Sequence, residues 1–131
     1  MSDKIKIGKH VFNTLVAITE EEHAIGLMWK KAPAPIMSFP YEKAEVHKFW
    51  MQNTIAPLDI LFCHGNKIID IKKGSPYSID LIGPDKETDL VVELPFGTVK
   101  EYNIAEGDYI ELKYSMNTLS KKYAQKLNVR T

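Results

Sequence analysis

Cysteine is nearly absent from this chain, and the single one, Cys63, excludes an intramolecular disulfide and any multi-cysteine zinc site. Arginine is as scarce. Sixteen of the seventeen basic residues are lysine, and seventeen acidic residues balance them to a formal net charge of zero. The lysines are dispersed, so the concentrated basic face of a nucleic-acid binder is missing and no nucleic-acid partner is expected. No segment approaches the run of about 18 apolar residues that crosses a membrane as a helix. The opening Met-Ser-Asp-Lys-Ile-Lys-Ile lacks the apolar core of a secretory signal, so an intracellular, cytoplasmic location without membrane association is expected.

Also missing are GxSxG, a Walker loop and a dinucleotide fingerprint, which leaves the common hydrolase and nucleotide mechanisms without support. The histidines, His10, His23, His47 and His64, show no metal-ligand spacing. Cys63 and His64 are adjacent on an expected strand and so point to opposite faces. No metal and no cofactor is expected. Cys63 has no neighbouring cation or helix N-terminus to make it a reactive thiolate, and it reads as a buried, inert thiol.

What is present fits one globular domain over residues 1–131, with 44% apolar residues to build a core. Ile5 to Ile7 and Val11 to Ile18 pattern as strands. Thr19 with Glu22 three residues on forms a capping box for a helix over 20–31, interrupted by Gly26 and stopped by Pro33 and Pro35. Leu58 to Cys63 is apolar on both faces, the signature of a central strand, and His64-Gly65-Asn66-Lys67 supplies a hairpin turn. Lys67 to Lys72, Leu90 to Leu94 and Tyr109 to Tyr114 continue the β pattern, with a long loop over 74–89 and a short helix near Phe96 to Tyr102. Asn117 caps a final helix over 117–128 with a Leu119, Tyr123 and Leu127 stripe. The expected fold is mainly β (α+β): a sandwich or partly closed barrel of about seven short strands, with a helix near each end.

Five sequence pieces then stand in a telling order: Gly26-Leu27-Met28, Phe49-Trp50-Met51-Gln52-Asn53-Thr54, Pro57-Leu58-Asp59-Ile60, Glu93-Leu94-Pro95-Phe96-Gly97 and Ile104-Ala105-Glu106-Gly107-Asp108. Together they resemble the domain of unknown function 192 family over roughly residues 11–113, with residues 115–131 a helical extension. The resemblance implies a compact β domain with a helix packed on it, and no activity. Relatives often carry an arginine soon after the glycine-leucine-methionine, where this chain has Trp29, Lys30 and Lys31.

Asp59 opens a strand on a face shared with Leu61 and Cys63. A buried aspartate must be hydrogen-bonded or paired, so it serves either as a base or ligand acceptor, or as a tie for nearby backbone N–H groups. Glu93 shares a face with Val91 and Pro95, and Asp59 and Glu93 are the candidate catalytic pair if they meet across the sheet. Asn53 and Thr54 suit a turn first and ligand contacts second. Trp50, flanked by Phe49 and Met51, reads first as core and second as a stacking platform.

The leading hypothesis is a non-catalytic binding domain for a small polar or carbohydrate ligand at Trp50, Asn53, Thr54, Asp59 and Glu93. The alternatives are a hydrolase or lyase using Asp59 and Glu93 as acid and base, and a structural or accessory protein such as a phage encodes. The oligomeric state is left open.

Overall fold

A computed structural model describes residues 2–126. Eight strands form two sheets that do not close into a barrel. In the smaller sheet β1 (Lys4–Ile7) lies between β2 (His10–Asn13) and β8 (Ile110–Lys113), antiparallel to both. The larger sheet has five strands in the order β3 (Leu15–Val16), β4 (Met37–Val46), β7 (Glu87–Pro95), β5 (Leu58–His64) and β6 (Lys67–Gly74). All its pairings are antiparallel except the short one between β3 and β4.

Alternation along β5 writes both halves of the core. Leu58, Ile60 and Phe62 join Phe39, Met51 and Val91 on one face. Leu61 and Cys63 join Ile5, Ile7, Val92, Leu94 and Ile110 on the other, where the small sheet covers them as the second layer of a sandwich. Each such side chain contributes about 1.5–3 kcal/mol on burial. The β5–β6 hairpin turns at Gly65 and Asn66, both at positive φ (58° and 64°), the conformation of a type I′ turn.

The first face is covered by α1 (Glu20–Ile25) and by two non-strand segments, 47–57 and 75–86. These segments bind each other through paired backbone bonds between Phe49 and Ile82 (2.8 and 2.7 Å) and from Met51 N–H to Ser78 O (2.9 Å). Gly74 leaves the room Met51 needs, because a Cβ there would lie 2.5 Å from the Met51 sulfur. Below the second face lies α2 (Thr98–Glu101), and α3 (Met116–Lys126) follows β8.

The strands number eight among the described residues, in keeping with the expected seven or so, and β4 is the one that was not legible. Two sequence expectations change. The 20–31 helix ends at Ile25: Gly26 caps it at φ 51° and ψ −126°, and residues 26–29 turn inward to bury Leu27. The long loop narrows to 75–86, because β6 reaches Gly74 and β7 starts at Glu87. The capping box forms as expected, with Thr19 Oγ1 accepting from Glu22 N–H and Glu22 Oε1 accepting from Thr19 N–H. The final helix begins at Met116, and its expected end, residues 127 and 128, lies outside the described residues.

Candidate functional site

Glu93 sits near the C-terminal end of β7, opposite Ile60 on β5 and Met37 on β4. Strand alternation sends its side chain to the first face, the one covered by α1 and the 47–57 segment. There it forms the floor of a cavity of about 350 Å³. Phe39 and Tyr41 from β4 make one wall, His23 and the Gly26–Met28 turn a second, and Phe49, Trp50 and Thr54 a third.

The walls are fixed by edge-to-face ring contacts between Phe39 and Phe49 (5.0 Å), His23 and Phe39 (5.5 Å), and His23 and Tyr41 (5.0 Å). Tyr41 is braced from behind by His47, stacked on it at 3.5 Å. Gly26 closes the top at close range. A Cβ there would lie 3.4 Å from the Phe39 ring and 3.9 Å from Glu93 Oε1.

The electrostatics follow from this enclosure. Glu93 is only 4% exposed, and its carboxyl has no hydrogen-bond partner among the described residues. Burial penalises the carboxylate and pushes its pKa up to about 8. Burial, with the Glu93 charge adding to it, also pushes the Tyr41 phenol up. Burial lowers the His23 pKa, although its Nε2 bonds the Ala17 carbonyl at 2.8 Å. Burial likewise lowers His47, whose Nε2 is buried without a partner. Lys48 lines the cavity but spends its ammonium elsewhere, on Gly83 O (2.6 Å) and Asp85 (2.8 Å).

Of the residues expected to converge, Trp50, Thr54 and Glu93 line this cavity, whereas Asn53 and Asp59 do not. Asp59 pairs with Leu94, one position out of step with Glu93, so the two carboxylates point to opposite faces of the sheet. Asp59 Oδ2 accepts from the Gly97 and Val99 N–H groups, both at 3.0 Å, and so ties β5 to the start of α2. An acid–base pair of Asp59 and Glu93 is not assembled. Asn53 turns at φ 57° and accepts from Trp29 N–H at 2.8 Å through its backbone carbonyl. Thr54 is buried, its hydroxyl donating to Gln52 O at 3.3 Å. Trp50 is 46% exposed, so it stands at the cavity rather than in the core.

Sequence reading missed His23, Phe39 and Tyr41. The latter two lie on the unrecognised β4, where Pro40 and the charged run 42–45 mask the β pattern. Gly26 did leave a signal, being a costly residue in an apparent helix.

A larger cavity of about 760 Å³ lies among β4, β7, β8 and α3. Two of its polar groups have partners: Asp89 accepts from Gly65 N–H (3.1 Å), and Lys122 donates to the Tyr114 hydroxyl (2.9 Å). Cys63 there is buried, which pushes its thiol pKa up and keeps it protonated. Among the described residues no group of His, Cys, Asp and Glu could hold a metal ion, and no helix is long and apolar enough to cross a membrane.

Fold and site thus define a two-sheet β domain with one buried, unpartnered acid at the floor of an aromatic cavity. The chain belongs to the domain of unknown function 192 family, described as an uncharacterized ACR, which matches residues 3–112 and so takes in β1 as well. Two solved structures share the fold, each at 28% identity. A protein of unknown function from Novosphingobium aromaticivorans has a TM-score of 0.77, with 82% of this chain and 83% of that one covered. A candidate transcription regulator from Sinorhizobium meliloti has a TM-score of 0.78, with 84% of this chain and 92% of that one covered. No curated protein matches the chain.

Proposed function

We propose that the chain is a binding domain for a small organic molecule, seated in the cavity above Glu93. One observation carries this reading: the carboxyl of Glu93, a residue 4% exposed, has no hydrogen-bond partner among the described residues and borders an aromatic-walled space. Buried polar groups are ordinarily satisfied, and leaving one unmade costs about 1–3 kcal/mol or more. A ligand that bonds Glu93 removes that cost. The volume of about 350 Å³ lies within the range of small-molecule sites, and the lining combines aromatic rings with polar groups.

Asp59 has no place in this site, and a hydrolase or lyase built on two carboxylates gains no support from the geometry. The Sinorhizobium meliloti relative is described as a candidate regulator. Small-molecule sensing is one role a pocket of this kind would serve, and the dispersed lysines give no reason to add a nucleic-acid partner.

A fragment screen read by amide chemical shifts tests the proposal. Binders are expected to move the resonances of Gly26, Phe49, Trp50 and Thr54 together, and Trp50→Ala is expected to weaken them. A screen whose hits all map to other surfaces would reject it.

A further inference from the structure

Building on the ligand-binding reading, we infer that the molecule the cavity takes is an organic cation, a protonated amine or quaternary ammonium, held by Glu93 among the rings of Phe39, Tyr41, Phe49 and Trp50.

The inventory of cavity groups points this way. Glu93 is the one acidic residue of the lining, and among the described residues no cation pairs with it. Lys48 is turned to Gly83 and Asp85. Two donors that would hold an anion or a sugar are already used: His23 Nε2 bonds Ala17 O, and the Thr54 hydroxyl bonds Gln52 O. What remains on offer is one carboxyl, the Tyr41 hydroxyl, the Trp50 indole N–H and a set of aromatic rings. Aromatic rings attract cations through their quadrupoles, most strongly where water is excluded. A carboxylate supplies the full opposite charge. An anion would meet repulsion from Glu93, and a sugar would leave most of its hydroxyls unpaired against apolar walls.

Protonation is then coupled to binding. Empty, the buried carboxyl holds its proton; a bound cation offsets the burial penalty, and the proton passes to solvent. The other titratable groups of the lining are His23 on α1, Tyr41 on β4 and Lys48 on the 47–57 segment. Burial lowers His23 below 6.5 and raises Tyr41, and Lys48 is paired with Asp85. Between pH 6.5 and about 8, a change in binding therefore reports Glu93.

Three probes sharing one ring distinguish the possibilities: benzyltrimethylammonium, benzyl alcohol and benzoate. Each is titrated calorimetrically into the wild-type chain and into Glu93→Gln, at both ends of that pH window. At the upper end the ammonium probe is expected to bind at least about tenfold tighter than the alcohol. Its affinity is expected to rise roughly tenfold across the window, with proton release. Both effects should vanish in Glu93→Gln, and benzoate should not bind. If the alcohol or benzoate binds as well as the ammonium probe, or if Glu93→Gln leaves the ammonium affinity intact, the cation assignment falls while the ligand-binding reading stands. Failure of all three probes to bind either protein at either pH would overturn both.

Discussion

At the scale of single residues, Asp59 and Glu93 show how surroundings divide one functional group between two roles. Asp59 accepts two backbone N–H bonds and Glu93 accepts none. Asp59→Ala is expected to cost about 1–3 kcal/mol in denaturant unfolding, because the Gly97 and Val99 N–H groups lose their acceptor. Ligand binding on the opposite face should be unaffected. Glu93→Gln should behave differently. A folded-state pKa of about 8 against an ordinary 4.5 means that the folded chain holds this proton more tightly than the unfolded one. The stabilisation from Glu93 is thus fully present below pH 4.5 and lost as pH rises through about 8. Relative to Glu93→Gln, the wild type is expected to lose on the order of a few kcal/mol across that window in unfolding series at stepped pH. Equal pH profiles for the two proteins would contradict this. The separate faces of Asp59 and Glu93 were half legible in the sequence. Alternation groups Asp59 with Leu61 and Cys63, and Glu93 with Val91 and Pro95. The register that sets Glu93 against Ile60 is a relation between strands, which neither strand encodes alone.

Among the elements, β5 was readable because burial on both faces writes an unbroken apolar run, and the Gly65-Asn66 hairpin because its turn demands positive φ. β4 was not. It carries Pro40, and its register with β7 shifts between Pro40 and Glu45, where a strand tolerates proline. Its exposed half is charged, so the alternation that would mark it is lost, and with it Phe39 and Tyr41 of the site. Helix α1 was legible at its start and not at its end. The capping box is local chemistry, whereas the stop at Gly26 depends on Phe39 and Glu93, which are distant in sequence. With six residues and none of them buried, α1 leans on its cap. Thr19→Ala is expected to cost about 1 kcal/mol by calorimetric unfolding and to loosen the His23 wall of the cavity. Glu22 on the same helix also bonds Lys121 of α3 at 2.6 Å. Burial raises its carboxyl, but Lys121 and the Thr19 and Ile18 N–H groups outweigh that and hold it at about 2. This contribution is present above pH 4.5 and fades as pH falls toward about 2.

For the whole molecule, the two apolar clusters share the five-stranded sheet as a common wall, and Cys63 lies at 0% exposure in the second of them. Burial, with the Asp89 charge adding to it, pushes its thiol up, so it is both shielded and protonated. Thiol labelling is expected to be negligible in the folded chain and to rise with global unfolding in denaturant. Rapid labelling under native conditions would show that the two sheets separate locally. The same layering that shields Cys63 leaves Glu93 only 4% exposed, with the 47–57 and 75–86 segments covering the first face as the small sheet covers the second. A ligand entering over Trp50 would replace no protein contact of Glu93.

The most direct test of the buried, unpartnered Glu93 carboxyl is its own titration, followed by the carboxyl carbon chemical shift in a chain labelled at glutamate. A midpoint near 8 is expected, well apart from the other glutamates, with Glu93→Gln removing that curve and no other. A midpoint at the ordinary 4.5 would mean that the carboxyl is solvated or already paired, and the cavity would lose its anchor.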